Sequence, residues 1–465
     1  MGRPRNGAAL SPFAMSAHDQ FRYDGVGVDP TSGVVTCRYS TQDHAFTERY
    51  TFGPGGNWDD PAVRAAVRIL FLLAGVSYYK TVAAPVVDLG EQPSTPAERA
   101  FLARYYVGGL GEFAYRNGLD LRDLGVEGPD AATTGAPETV GAYDPEPGRP
   151  LIPFGGGIDS IVTVAELAPD HPDAALFVVH PPGDRFAAIE DAAAVTGLPV
   201  VHVAREIDPL VRRSDELGFL NGHVPVTAVI SGAAVVAATL LGRDAVVLSN
   251  EWSASVPTLV VDGLAINHQW SKGDEFEQLF EAFVQGAVGP GLSVFSYLRP
   301  RTELWVAERF ARLPEYHHAF RSCNRAFHQD PAHRLDHWCG ECDKCCFIDL
   351  ILSPFMGRAE LEAVFDGTEP LENPANEVRF RALLGLGDGA RPFECVGDIE
   401  ECRAAVLLAV AREDRADSSR LRAWRAEVDR VTPAPPSDAA ALLAPRAPHH
   451  IPERYAPADL LVRAR

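Results

Sequence analysis

The chain has 465 residues, 46% of them apolar and 23% charged, and a formal net charge of −21. That length holds about two or three domains, each with its own core. The acidic balance argues against a broad nucleic-acid or anionic-membrane surface. Eight cysteines are too few for a disulfide scaffold, and five of them crowd between Cys323 and Cys346, which suits a metal site in a reducing compartment. The first twenty residues lack the apolar stretch of a signal peptide. The apolar run from Val224 to Leu241 is interrupted by Pro225, Thr227, Ser231, Gly232 and Thr239, and reads as a buried helix and not a span. A cytoplasmic protein with no membrane insertion and no nucleic-acid partner is expected.

In chain order, residues 1 to about 18 are polar and aperiodic and are expected to be disordered. Strand-like runs follow at Val34–Tyr39 and Arg49–Phe52, with Thr31-Ser-Gly33 as a turn. Asp59-Asp60-Pro61 starts a helix with Val63, Val67, Leu70, Phe71 and Ala74 on one face and Gly75 as its stop. A second helix opens on the capping box Thr95-Pro96-Ala97-Glu98 and runs to about Asn117. Together these make a small α+β N-terminal domain over residues 19–125, and residues 126–150, rich in Gly, Pro, Thr and Ala, are a linker.

From residue 151 to 300 short apolar runs alternate with helical segments. The runs are Leu151–Phe154, Ala175–His180, Val200–Ala204 and Ala245–Leu248, and the helices lie near 160–168, 184–197 and 224–241. This is the pattern of a doubly wound parallel sheet, whose ligands sit at the carboxyl ends of the strands. Asp159, Ser160, His180, Arg205, Glu206, Asn250 and Glu251 fall there. Beyond it, helices are expected from Asp274 to Val284 and up to about Leu313, then a helical, Cys-rich lobe over 301–410 and a charged, partly disordered tail over 411–465, loosest from Thr432 to Pro448.

Two motifs carry chemistry. In Leu151-Ile-Pro-Phe-Gly-Gly-Gly-Ile-Asp-Ser160 a strand enters a three-glycine turn and then a helix. Glycines let the backbone approach a ligand closely, and the helix start offers unpaired N–H groups at its positive end, so the stretch is a phosphate cradle. It has neither the Lys of GxxxxGK[ST] nor the spacing of GxGxxG. The second motif is Cys323 followed by Cys339-Gly-Glu-Cys342-Asp-Lys-Cys345. This spacing puts Cys323, Cys339, Cys342 and Cys345 around a closed, structural zinc, with an iron–sulfur cluster as the alternative. Cys346 is left over, and His328, His333 or His337 could replace one thiolate. Such a site has no open coordination position; it would pin the C-terminal lobe to the nucleotide domain.

The glycine loop resembles the SGGxDS loop of the PP-loop ATP pyrophosphatases, with Phe154 where that family has its first Ser and Ile158 where many members carry a polar residue. The resemblance implies ATP cleavage to AMP and pyrophosphate. A loop-bearing α/β domain followed by this cysteine pattern also resembles 7-cyano-7-deazaguanine synthase, which implies a PP-loop ligase or amidating enzyme of nucleobase or tRNA modification as the alternative. A larger set of stretches is similar to the MurL family, the ATP-dependent UDP-N-acetylmuramoyl-L-alanyl-L-glutamate epimerases of peptidoglycan synthesis. These are Gly75-Val-Ser-Tyr-Tyr-Lys80, Gly108-Gly-Leu-Gly-Glu-Phe113, Pro153-Phe-Gly-Gly-Gly157, Asn221-Gly-His-Val-Pro225, Ser249-Asn-Glu-Trp-Ser-Ala254, Asn267-His-Gln-Trp-Ser-Lys272 and His337-Trp-Cys-Gly-Glu-Cys-Asp-Lys-Cys345. They cover about residues 20 to 410, including an N-terminal domain that a deazaguanine synthase would not have.

This second resemblance implies an isomerase that inverts the terminal L-glutamate of UDP-MurNAc-L-Ala-L-Glu through an acyl-adenylate, working after a muramoyl ligase that adds L-glutamate. ATP and Mg²⁺ are implied, with Gly155, Gly156, Gly157, Asp159 and Ser160 at the phosphates and Asp159 as either helix cap or Mg²⁺ ligand through water. Epimerisation needs a base and an acid on opposite faces. His223, Glu251, His268 and Lys272 are the expected catalytic groups, because they lie in polar stretches beside or after the sheet. Lys80, Glu112, Asn250, Arg299 and Arg301 are expected at the substrate, the arginines because guanidinium groups bind carboxylate and phosphate bidentately. Trp252 and Trp270 could stack on a base.

Overall fold

A computed structural model describes residues 11–12, 20–134, 143–261, 263–328, 330–387, 392–431, 441 and 443–461. Of the residues 1–18 expected to be disordered, Ser11 and Pro12 instead pair parallel with Leu119 and Asp120, while the others, and most of the loose stretch after Thr432, lie outside the described residues. Ten strands form one sheet. In chain order they are β1 (Gln20–Asp29), β2 (Val34–Ser40), β3 (Ala45–Thr51), β4 (Val86–Asp88), β5 (Gly125–Glu127), β6 (Pro150–Pro153), β7 (Ala175–His180), β8 (Val200–Glu206), β9 (Ala245–Leu248) and β10 (Ser293–Ser296). Their spatial order is β10-β9-β6-β7-β8-β3-β2-β1-β4-β5.

The half from β10 to β8 is parallel throughout. Its strands are nearly continuous apolar runs, as burial on both faces requires. The four strands expected there are present, and β10 is a fifth that the sequence hides: Ser293-Val-Phe-Ser296 is short and polar at both ends, yet wholly buried. Within this half the order runs β8-β7-β6-β9-β10, so the direction of winding reverses between β6 and β9. A crevice at such a reversal, outside the carboxyl ends of the strands, is where open α/β sheets bind ligands.

The strands of residues 20–127 belong to this same sheet. β3 joins the parallel half antiparallel to β8, pairing Ala204 with Thr51 and Glu206 with Arg49. The junction is tied by a buried ion pair in which Arg205 Nε donates to Glu48 Oε1 at 2.6 Å. Arg205, at the end of its strand, therefore serves the sheet junction. Helix α1 (Pro61–Ala74), capped by Asp60, packs against the helix Val226–Leu240, the apolar run that is indeed a buried helix. The stretch Pro61–Tyr79 is long and apolar enough to cross a bilayer, and 83% of its window is buried inside the fold. Helix α1 ends at Ala74 with Gly75 as its C-cap, as expected, but Gly75 keeps right-handed helical geometry, and a Cβ there would lie 2.3 Å from the Tyr23 hydroxyl oxygen. The glycine is needed for that close approach and not for a turn.

The second expected helix has both arms of its capping box but breaks at Leu110 into α2 (Pro96–Gly109) and α3 (Gly111–Asn117). On the other side of the parallel half, α4 (Ile158–Leu167), α5 (Glu303–Phe310) and α6 (Asp343–Leu352) lie together in a second apolar core. The charged tail is not separate from that core. Leu421, Trp424 and Val428 of a helix over Ser419–Val431 are buried. Further on, the Tyr455 hydroxyl donates to Asp244 Oδ1 at 2.7 Å, and Arg301 Nη2 donates to Asp459 at 2.8 Å.

Candidate active site

The glycine turn follows β6 directly. Gly156 has φ +72°, and a Cβ on it would stand 2.5 Å from the Ala188 carbonyl oxygen, so this position takes only glycine. Gly155 faces open space. Gly157 is the N-cap of α4 with no side chain capping it, so Asp159 is not the cap, and Ser160 donates its hydroxyl back to the Gly157 carbonyl at 3.1 Å. Ile158 is buried in the apolar core beneath the loop.

Instead of capping, Asp159 meets two further carboxylates. Oxygens of Asp159, Glu251 and Glu303 lie within 4.8 Å of one another. Asp159 Oδ1 and Glu303 Oε2 are buried without a hydrogen-bond partner among the described residues. Burial, and then the charge of Glu251, push Asp159 up to about 7, and burial with the Glu251 and Asp159 charges holds Glu303 well above the ordinary carboxylate range. Orphaned, mutually repelling carboxylate oxygens are the donor set of a hard divalent cation. Lys272, on the turn Trp270–Lys272, is raised above its ordinary value: burial opposes its charge, but Cys395, Glu251 and Asp159 outweigh burial.

A second cluster lies beside the first. Glu112, the second residue of α3, hydrogen-bonds His268 Nδ1, and the rings of His268 and His223 stand 4.1 Å apart. Ligand atoms of Glu112, His223 and His268 lie within 4.8 Å of one another. Burial and the neighbouring His268 bring His223 down to about 4, so it is neutral near pH 7. Burial also pulls His268 down, but its hydrogen bonds to Cys395 and Glu112 prevail and set it at about 9. Lys80, lowered to about 8 by burial, donates to Asn221 Oδ1 at 2.7 Å.

Close packing of three sequence stretches builds this cluster. A Cβ on Gly108 would sit 2.3 Å from Trp270, and one on Gly109 2.7 Å from Pro225. The paired glycines thus let the helix carrying Glu112 come against the segments carrying His223 and His268. Trp270 is core, tilted against Phe276 and hydrogen-bonded to Glu275, and Trp252 lies under the Arg446 guanidinium.

The arginines expected at a ligand have other partners. Arg299, 1% exposed, donates through Nε and Nη2 to Glu277 and through Nη1 to the Glu251 carbonyl oxygen at 2.9 Å. It fixes the backbone of Glu251 and Lys272. Arg301 is buried against Trp305 and bound to Asp459. Asn250 exchanges backbone hydrogen bonds with the Ser296 hydroxyl. Sequence reasoning missed Glu303, Lys344 and Cys395. Glu303 starts a helix capped by Thr302 just after the unrecognised strand β10, and that strand was the only cue to its place.

Cys323, Cys339, Cys342 and Cys345 come together, their sulfurs within 4.8 Å of one another and two contacts at 3.4 and 3.6 Å. Backbone N–H groups of Cys339, Glu341 and Cys345 point at these sulfurs. The four thiols could hold one metal ion. Cys346 stays outside, buried and pushed up to about 12. The cluster abuts the glycine loop: Arg321 N donates to the Gly156 carbonyl oxygen, and Ser322 lies against Gly157. Lys344, between two of the cysteines, reaches the Cys395 carbonyl oxygen.

Fold and site define an α/β protein with a large, mostly parallel sheet, a glycine turn at its winding reversal, and acid-base groups converging there from both halves of the chain. The profile of the MurL N-terminal domain matches residues 12–297 and that of the MurL C-terminal domain residues 319–439. The chain belongs to the MurL family. It is 39% identical to a UDP-N-acetyl-alpha-D-muramoyl-L-alanyl-L-glutamate epimerase of Salinispora tropica, over 95% of each chain. It is 37% identical to one of Xanthomonas oryzae pv. oryzae, over 87% of this chain and 89% of that one, and 38% identical to one of a Micromonospora strain, over 95% and 97%. No solved structure matches.

Proposed function

We propose that the chain is an isomerase that inverts the terminal L-glutamate of UDP-MurNAc-L-Ala-L-Glu, consuming ATP to activate that residue's α-carboxylate as an acyl-adenylate with release of pyrophosphate. The relatives' names support the substrate and the reaction. The observation that carries the mechanism is the meeting of the two clusters across Lys272, which interacts with Asp159, Glu251 and Glu303 on one side and with Cys395 and His223 on the other. A carboxylate activated at the first cluster lies beside acid-base groups of the second.

The chemistry explains the pairing. Removing the α-proton next to an ionised carboxylate would place two negative charges on adjoining atoms. Adenylation removes the first charge and makes the carbonyl an electron sink. In the PP-loop reading of residues 151–300, backbone N–H groups of Gly155 to Gly157 at the start of α4 receive the phosphates. Magnesium held by Asp159, Glu251 and Glu303 would supply neutralisation of phosphate charge there. His223, His268, Glu112 and Lys80 form the acid-base side. Arg299 positions Glu251 and Lys272 and Arg301 docks the tail, so neither is proposed as a substrate ligand. The L-glutamyl substrate itself comes from a ligase that joins L-glutamate to the muramoyl-alanine precursor.

Incubation of UDP-MurNAc-L-Ala-L-Glu with the protein, ATP and Mg²⁺ in D₂O tests this reading. Deuterium is expected at the glutamate α-carbon, with D-glutamate recovered on hydrolysis and pyrophosphate released. Absence of both deuterium and D-glutamate would overturn the reading.

For the cysteine cluster we propose a structural zinc that fastens the lobe over 301–410 to the glycine loop. Metal analysis is expected to find about one zinc per chain, and Cys342→Ser to lose the metal and melt at lower temperature. A metal-free wild type of equal stability would refute it.

A further inference from the structure

Proton removal from carbon needs a base placed against it, and one cysteine outside the four-thiol cluster is seated among the acid-base groups. We propose that Cys395 is a catalytic residue of the epimerisation, its thiolate taking the α-proton from one face of the activated glutamyl group while His268 and Glu112 position it. The proposal rests on the epimerase reading above.

The first support is a chain of contacts. Glu112 hydrogen-bonds one nitrogen of His268, and the segment of Cys395 is held beside that histidine, the Val396 carbonyl oxygen accepting from Gln269 and the Cys395 carbonyl oxygen from Lys344. A thiol, an imidazole and an orienting carboxylate in series are the arrangement that activates a sulfur. The three come from α3, the turn after a hairpin at 259–266, and the segment 392–398, so no local structure explains their meeting.

The second support is how firmly segment 392–398 is held. Lys344 reaches the Cys395 carbonyl oxygen, and Gln269 Nε2 donates to the Val396 carbonyl oxygen at 3.5 Å. Asn324 donates to Glu394 at 3.1 Å, and Phe393 packs on Tyr115 with Arg116 over its ring. Gly397 packs tightly, since a Cβ there would lie 3.0 Å from Phe347 and 3.1 Å from Glu303 and would need those side chains to give. Positioning this tight is what proton transfer from carbon requires.

The charges facing the sulfur agree. Burial would raise the thiol, yet Lys272, the His268 hydrogen bond and Lys344 bring Cys395 down to about 6. Asp159 and Glu394 are the acidic groups nearby, and each faces a lysine as well, Lys272 or Lys344.

In the step, the α-proton passes from carbon to the Cys395 sulfur, and the C–H electron pair moves onto the carbonyl of the activated carboxyl. Negative charge leaves the sulfur for that oxygen, with the Lys272 and Lys344 ammonium groups close by. A separate protonated group delivers a proton to the opposite face, and thiol and donor re-equilibrate with water between turnovers.

The test uses full-length C395S and C395A with UDP-MurNAc-L-Ala-L-Glu, ATP and Mg²⁺. Pyrophosphate release is expected to stay near the wild-type rate while α-deuterium incorporation falls by about 100-fold or more. Wild-type incorporation should rise through about pH 6 and decline through about pH 9, as Cys395 loses and His268 loses its proton in turn. Iodoacetamide on the wild type at pH 6.5 (a value about the unperturbed imidazole range) gives a measurement that survives a misfolded variant. Alkylation located at Cys395 by mass spectrometry should stop α-exchange, and substrate with ATP should protect. In H268Q the alkylation should require higher pH. Unchanged exchange in C395S, equal loss of pyrophosphate release, or full exchange after alkylation overturns the proposal. A wild type that neither releases pyrophosphate nor exchanges overturns the epimerase reading and this one with it; a wild type that does both, beside a C395S that does both equally, overturns this one alone.

Discussion

Asp159→Asn is expected to lower pyrophosphate release by about 10³-fold, the effect of removing one electrostatic group at a reacting phosphate. The fold should survive, and at pH 8 without magnesium the variant should melt at or above the wild type. The sign follows from Asp159 being pushed up to about 7 by burial and by Glu251. A carboxyl raised in the folded state stabilises fully below its unfolded value of about 4 and loses that contribution as pH rises through its folded value. An amide at 159 escapes this loss. Added magnesium should raise the melting temperature of the wild type and leave that of D159N nearly unmoved. Near-normal pyrophosphate release in D159N would remove the loop from the reaction, and equal magnesium responses would remove the carboxylates from metal binding.

Arg205→Leu is expected to destabilise the protein by about 3–5 kcal/mol, because it leaves the fully buried Glu48 carboxylate without its cation. Glu48 Oε1 keeps only the Tyr50 hydroxyl at 2.6 Å, and Oε2 has no partner among the described residues. The pair stands where β3 meets β8, so its loss loosens the join between the strands of residues 20–51 and the parallel half. Glu112 and Lys80 belong to that first part of the chain, and α-exchange should fall more steeply than pyrophosphate release. Urea denaturation and the two rates measure this; a shift under about 1 kcal/mol would mean that the buried pair does not hold the junction.

Much of this was legible in the residues. Alternation of apolar runs and helices predicted β6 to β9, since strands buried on both faces must be short and apolar. The glycine turn and the cysteine spacing announced local geometry, because both are built within a few residues. His223, His268 and Lys272 were found as polar groups near the sheet, and they do come together. Less legible was anything made by distant segments. Glu303 and Cys395 reach the site through β10 and through the segment pinned by Lys344, and neither has a pattern of its own. Arg299 shows the opposite error: a guanidinium suited to a ligand's phosphates is occupied by Glu277 and two backbone carbonyls, which composition cannot disclose. Gly75 does end its helix as the sequence says, but its close packing against Tyr23 has no mark in the sequence.

The cysteine knuckle reaches further than its own fold. Arg321 and Ser322, just before its first ligand, lie on the glycine loop, and Lys344, between two others, touches the segment of Cys395. If the proposed zinc sits there, its removal would loosen both ends of the site at once. On that reading, a chelator should lower pyrophosphate release and α-exchange together, although no thiol of the cluster touches the reacting atoms.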